Sequence, residues 1–153
     1  MTDLRGLYDE LILDHNRNPR NVKVVEPATG TAEGNNPLCG DALALTLRQE
    51  GDVIADIGIT FPGRKGCAIS TASASLMTGA VKGKTVQEAE ALFQAFHRMI
   101  TAPDSQPVDE KTLGKLAALA GARRFASRTK CASLAWHTLH AALTNAAAPV
   151  TTE

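Results

Sequence analysis

Two alternating segments joined by a polar turn constrain the fold of this chain most strongly. Leucines occupy positions 43, 45 and 47, and a second alternation of apolar with small or polar residues runs from 53 to 61. Residues 49–52, Gln-Glu-Gly-Asp, have the composition of a turn. Because strand side chains alternate between faces, the pattern predicts an antiparallel β-hairpin with one apolar face. The inward residues predicted for its second strand are Val53, Ala55, Ile57, Ile59 and Phe61.

Helical periodicity lies on both sides of this hairpin. Apolar residues at i, i+3, i+4, i+7 and i+8 from Leu4 predict an amphipathic helix that ends before Pro19. A loop follows, with one short edge strand near residues 29–33. The other predicted helices are one that Cys67 opens, one with a capping box of Thr85 and Glu88, a short one ending at Gly121 and a last one capped by Ser127.

Length and charge limit the class of protein. A chain of 153 residues suits one domain, residues 1–153, with a tail that frays from about residue 145. Sixteen basic residues balance sixteen acidic ones, which argues against nucleic-acid and anionic-membrane partners. The first residues contain no apolar segment of a signal peptide, so a cytoplasmic protein is expected. A monomer is favoured because no long apolar patch pattern occurs.

Three cysteines and one aspartate carry the candidate chemistry. Cys39 and Asp41 flank Gly40 at the entrance of the hairpin, and an extended strand would project both side chains to the same side. Cys67 and Cys131 are predicted near helix N-termini, where the helix dipole lowers a thiol pKa. Three thiolates and one carboxylate match a tetrahedral Zn²⁺ site. The alternative is that the cysteines are small buried hydrophobes, and it is stronger for Cys131 than for Cys39.

Four separated motifs occur in order along the chain. They are Leu7-Tyr8 with Asp14-His15 and Asn18-Pro19-Arg20-Asn21; Asn36-Pro37-x-Cys39-Gly40-Asp41; Gly66-Cys67-x-Ile69-Ser70-x-Ala72-Ser73-Ala74-Ser75; and Arg128-x-Lys130-Cys131-x-x-Leu134-x-Trp136. Together they resemble the SufU branch of the IscU/NifU-N family of iron–sulfur cluster assembly proteins. The resemblance implies an α+β, SufE/NifU-like fold with a small antiparallel β-sheet of about three strands, packed on one side by helices. It also implies a metal site of Cys39, Asp41, Cys67 and Cys131.

Two features separate the branches of this family. Scaffold-type members carry histidine where this chain has Lys130, and they lack a segment like residues 101–121. The resemblance therefore implies a zinc-dependent sulfurtransferase, in which Cys39 accepts persulfide sulfur from a SufS-type cysteine desulfurase and relays it to downstream cluster-assembly proteins. Arg128 is expected to steady the transferred sulfur. We hypothesise that docking of the desulfurase frees Cys39 from the metal.

Two other functions stay open at this stage. The same cysteines could hold iron or an iron–sulfur cluster, as in an IscU-type scaffold, or a zinc ion that only stabilises the fold. The predicted docking surface comprises residues near Cys39, the loop 62–66 and the segment 101–121. His137 and His140 share a helix face and are expected to lack an acidic partner nearby, so we interpret them as part of a solvated helix face, and His15 as structural.

Overall fold

The computed structural model describes residues 4–36, 40–62, 67–144 and 150–151, with the backbone alone for residues 4–8 and 150–151. Cys39, most of the loop 62–66 and residues 145–149 of the predicted tail lie outside the described residues. The elements in chain order are α1 (Leu4–Arg17), β1 (Gly30–Asn36), β2 (Asp41–Glu50), β3 (Val53–Thr60), α2 (Ala68–Val81), α3 (Val86–Thr101), α4 (Glu110–Leu113), a 3₁₀ helix (Gly114–Arg124), α5 (Ala126–Thr144) and β4 (Val150–Thr151).

The predicted small antiparallel sheet is confirmed. The strand order is β3-β2-β1-β4, and β1, β2 and β3 are antiparallel. Strand β1 is longer than the predicted edge strand. It is also not an edge along its whole length, because β4 pairs in parallel with Gly34 and Asn35. The predicted tail therefore contains a short strand at residues 150–151.

A β-bulge changes the inward face of the hairpin. Arg48 pairs with Asp56 but Gln49 pairs with Ile54, so Ala55 has no direct partner. Because of this extra residue, the side chains of β3 between the bulge and the hairpin turn face the opposite way from the predicted alternation. Ile54 is therefore fully buried, while Val53 and Ala55 are only half-buried. The predicted inward set is correct at Ile57 and Ile59 and wrong at residues 53–55.

Helix α5 is the centre of the helical layer on the sheet. It crosses β1 at Gly34, where a Cβ atom would meet Thr138 and Leu134. Helix α2 packs beside it, and the Ser73 hydroxyl donates to the Ala132 carbonyl at 2.6 Å. Helix α1 packs on α2 through a 2.7 Å hydrogen bond between His15 Nδ1 and Ser75 Oγ. The small residues of α2 thus allow close helix contacts, and the structural interpretation of His15 is confirmed.

Two predicted helix boundaries are wrong. The short helix ends at Leu113 and is capped by Gly114, whose φ of 55° lies in the left-handed region, and the chain continues from there as a 3₁₀ helix that passes Gly121. Helix α5 begins at Ala126, so Ser127 lies inside its first turn instead of capping it. The capping box of Thr85 and Glu88 on α3 is confirmed. Within the described ranges, the helices are too short or too polar to cross a bilayer.

Candidate metal centre

Three of the four predicted ligands converge where β2, α2 and α5 meet. Asp41 is the first residue of β2, Cys67 is the N-cap of α2, and Cys131 lies in the second turn of α5. One ligand atom from each residue lies within 4.8 Å of the other two. Asp41 and Cys131 are buried, with 1% and 4% of their surfaces exposed, and Cys67 is half-buried. The fold therefore gathers a carboxylate and two thiols into one enclosed cluster.

Backbone hydrogen bonds fix the Asp41–Cys67 pair. The Cys67 N–H donates to Asp41 Oδ1 at 2.7 Å, and the Cys67 thiol lies 3.6 Å from Oδ2. The Ser70 N–H donates to Cys67 Sγ at 3.4 Å, as expected for an N-cap side chain. Both oxygens of Asp41 thus face Cys67, and the start of α2 sets the position of its sulfur.

Burial has the largest effect on the pKa of the Cys67 thiol. Burial raises the pKa of the Cys67 thiol, and the Asp41 carboxylate adds to this effect. The Ser70 N–H and the Cys131 side chain act in the opposite direction, to a smaller extent. The Ser70 N–H at the helix N-terminus does lower this pKa, but burial outweighs it, so the net lowering that was expected for Cys67 is wrong. Cys131 lies in the second turn of α5, close to the position that was predicted near the helix N-terminus.

The donor set fits a thiophilic divalent metal. In a tetrahedral site, Zn–S and Zn–O bonds of about 2.3 and 2.1 Å place the ligand atoms roughly 3.6–3.8 Å apart. The three ligand atoms lie within 4.8 Å of one another, so a contraction of about 1 Å at most would bring them onto one ion. The cluster of Asp41, Cys67 and Cys131 would suit zinc, and iron uses the same donor types. Cys39 as fourth ligand stays a prediction.

Arg128, expected to steady the sulfur, contacts an aromatic ring. Its guanidinium carbon lies 4.6 Å from the centroid of Phe125. Arg128 precedes Cys131 by three positions on α5, so both lie on one side of the helix. Among the described residues no carboxylate forms an ion pair with it. Its catalytic role stays a prediction.

Three polar side chains, one beside the cluster and two on α5, have surroundings that were not predicted. Asn36 pairs with Asp41 across the strands and is fully buried, and neither polar atom of its amide has a hydrogen-bond partner in the described structure. Only its place before Pro37 could have indicated this. His140 lies 2.9 Å from Glu90, so the expected lack of an acidic partner is wrong. His137 is half-buried with its ring centroid 5.2 Å from that of Phe93, and is therefore not a freely solvated side chain.

Comparison with known proteins defines the class. The family model of the NifU-like N-terminal domain matches residues 7–132, so the chain belongs to that family. The chain is thus a member of the iron–sulfur cluster assembly proteins that include SufU and IscU, which confirms the resemblance found in the motifs.

Three relatives make the similarity specific. The chain is 40% identical to the zinc-dependent sulfurtransferase SufU of Bacillus subtilis over 90% of this chain and 89% of the relative. It is 38% identical to the iron–sulfur cluster assembly scaffold protein IscU of Streptococcus pyogenes over 96% of this chain and 89% of that one. The crystal structure of FiSufU from Fervidobacterium islandicum, described as a scaffold protein for the SUF system, superposes with a TM-score of 0.79 at 32% identity, covering 92% of this chain and 99% of that one.

Proposed function

We propose that this chain is a zinc-dependent sulfurtransferase of iron–sulfur cluster biogenesis. It accepts persulfide sulfur from a SufS-type cysteine desulfurase and passes it to downstream cluster-assembly proteins. The observation that carries the proposal is the enclosed cluster of Asp41, Cys67 and Cys131 in a chain 40% identical to a relative named for this activity. In this proposal the protein acts as a single-domain monomer in the cytoplasm.

The ligand set proposed for zinc is Cys39, Asp41, Cys67 and Cys131. Bound zinc would favour the thiolate over the thiol at neutral pH, offsetting the burial that raises the pKa of Cys67. Asp41 supplies the oxygen ligand, and its hydrogen bond from the Cys67 N–H keeps the carboxylate oriented toward the sulfurs. Among the described ligands, Asp41 and Cys131 are buried and Cys67 is half-buried, so these three side chains have limited contact with water.

The proposed reaction is a thiol–persulfide exchange at Cys39. The Cys39 thiolate attacks the outer sulfur of the donor cysteine persulfide. A sulfur–sulfur bond to Cys39 forms as the donor sulfur–sulfur bond breaks, and the donor cysteine leaves as a thiolate. Cys39 then carries the persulfide, with no external oxidant or reductant consumed. Arg128 is proposed to offset the negative charge of the outer sulfur.

An IscU-type scaffold is the second candidate. The Streptococcus pyogenes relative, similar over nearly the whole chain, bears that name, and the same donors could hold iron or an iron–sulfur cluster. Lys130 argues against it. An ammonium has no lone pair for a metal, and it stands where scaffold-type members carry histidine.

Sulfur acceptance by Cys39 tests the proposal. We expect zinc-loaded wild-type protein, incubated with a SufS-type desulfurase and cysteine, to gain one sulfur atom per chain by intact mass. Cys39→Ser should gain none, because a hydroxyl is a poor nucleophile toward sulfane sulfur. Ser70→Cys, which adds a thiol near the cluster while keeping Cys39, is the matched control for nonspecific thiol exchange.

Two outcomes would contradict the sulfurtransferase. One is full sulfur acceptance by Cys39→Ser. The other is anaerobically purified wild-type protein that contains iron and acid-labile sulfide in place of about one zinc per chain. The second outcome would support the scaffold function.

A further inference from the structure

A groove beside the thiol cluster lies between four elements. Its volume is about 500 Å³, and the 3₁₀ helix, α1, the start of α2 and the start of α5 all contribute to its walls. Ile69 and Arg128 line it, and they lie two and three positions from Cys67 and Cys131. The groove therefore comes within about one helical turn of two candidate metal ligands.

Phe125 gives this groove an exposed aromatic side chain. It connects the 3₁₀ helix to α5, and 53% of its surface is exposed. Arg128 stacks on its ring with the guanidinium carbon 4.6 Å from the centroid. Exposed aromatic residues and arginine are enriched at the energetic centres of protein interfaces. The pair therefore has the composition of an interface anchor.

The charges of the groove favour an acidic partner. Arg123, Arg124 and Arg128 line it together with two carboxylates, Asp9 and Asp104. Arg124 Nε lies 2.9 Å from Asp104 Oδ1, and Arg123 donates to the Asp104 carbonyl at 2.8 Å, so both arginines are held in the wall. No ion pair engages Arg128 within the described part of the chain. The Arg128 guanidinium, which lies over the exposed ring of Phe125, can therefore pair with a carboxylate of a partner.

We propose that this groove, centred on Phe125 and Arg128, docks a segment of the cysteine desulfurase that carries a carboxylate beside an apolar side chain. The inference rests on the proposed function and adds the surface and the chemistry of the partner. Docking here would hold the donor beside the cluster without using a metal ligand. It assigns Arg128 to partner binding in addition to its proposed electrostatic role.

The test is the affinity of the zinc-loaded protein for a purified SufS-type cysteine desulfurase, measured by calorimetry. Phe125→Ala should raise Kd by roughly 10- to 30-fold, the usual loss for an aromatic anchor. Arg128→Glu should raise it further, and the wild-type Kd should increase with ionic strength. Val24→Ala is the matched control. Val24 is 59% exposed and lies outside the groove, so its variant should bind as wild type does.

Sulfur acceptance separates failure of the groove from failure of the function. Sulfur acceptance by Phe125→Ala should need more desulfurase to reach a half-maximal rate, because its Kd for the desulfurase is higher. Unchanged Kd in Phe125→Ala, with sulfur transfer intact, would overturn the groove and leave the function standing. Wild-type protein that neither binds the desulfurase nor accepts sulfur would overturn both. Self-association abolished by Phe125→Ala, with desulfurase affinity unchanged, would assign the groove to a second copy and refute the proposal.

Discussion

Asp41 shows how one side chain can be both a structural acceptor and a candidate ligand. Oδ1 accepts the Cys67 N–H at 2.7 Å, while Oδ2 lies 3.6 Å from the Cys67 sulfur. Asp41 is 1% exposed, so its carboxylate is removed from water and relies on these neighbours. A change of Asp41 to asparagine can distinguish the role of its charge from that of its hydrogen bond, because asparagine keeps a carbonyl oxygen as acceptor and loses the charge.

Asp41→Asn should weaken zinc binding by at least about tenfold, because a neutral amide is a much poorer oxygen ligand than a carboxylate. The Cys67 N–H can still donate to the amide oxygen, so the thermal midpoint of the zinc-free protein should change little. Competition with a chromophoric chelator measures the affinity. Asp52→Asn, an exposed change in the hairpin turn, is the control. Zinc affinity equal to wild type would remove Asp41 from the ligand set.

At the scale of elements, the close approach of α5 to β1 positions Cys131. A Cβ at Gly34 would lie too close to the Thr138 hydroxyl and the Leu134 side chain, so glycine keeps the helix near the sheet. Gly79 of α2 is different, because a Cβ there has nothing within 4 Å. The two glycines therefore form a matched pair for testing this packing.

Gly34→Ala should lower the free energy of unfolding by about 1–3 kcal/mol through overpacking. Gly79→Ala should leave it unchanged or raise it by up to about 1 kcal/mol, because alanine is the better helix former. Urea titrations of both variants give the values. Equal stability of the two variants would mean that α5 can move away from β1 at little cost.

Local patterns predicted those elements whose boundaries depend on local chemistry. The leucine alternation gave β2, the Thr85–Glu88 capping box gave the start of α3, and Cys67 was placed correctly at the start of α2. The bulge opposite Gln49 was not predicted, because the strand register depends on which residues pack on the sheet. Its effect is seen in the structure as the burial of Ile54. The helix stop at Gly114 was missed because Gly121 is an equally good stop in sequence.

The residues of the candidate metal centre could be predicted from the sequence, but the effect of their surroundings on the pKa of Cys67 could not. Motif order identified Asp41, Cys67 and Cys131 as a group, and the structure brings those three together. The effect of burial on the pKa of Cys67 was not predictable, because it depends on the packing of α2 and α5 around the sulfur. Nor could the sequence show that Arg128 stacks on Phe125, which follows from the 3₁₀ helix preceding α5.

At the scale of the whole molecule, two distant histidines share one electrostatic property. Burial is the main cause that lowers the pKa of His15, between α1 and α2, and of His137, between α3 and α5. Arg20 adds to the effect at His15, while His97 and His140 add to it at His137. At both helix contacts the neutral form of the histidine is therefore favoured. Protonation of His15 and His137 in acid should weaken the α1–α2 and α3–α5 contacts.

A lowered pKa in the folded state means that the unfolded chain binds more protons just below the ordinary value of 6.5. Above pH 6.5, neutral His137 should thus make its full contribution to the free energy of unfolding. This contribution should decrease as the pH falls below 6.5. His137→Gln cannot take up a proton, so its stability should fall less between about pH 7.5 and about pH 5.5 than that of wild type. The difference should be a fraction of the ~1.4 kcal/mol per pH unit of a full proton, because the ring is only half-buried. Urea unfolding of both proteins across this range measures it, and comparing the two removes the pH dependence that they share through the metal centre. Parallel curves for the two proteins would show that the α3–α5 contact tolerates a charged His137, and would limit acid sensitivity to the His15 side of the molecule.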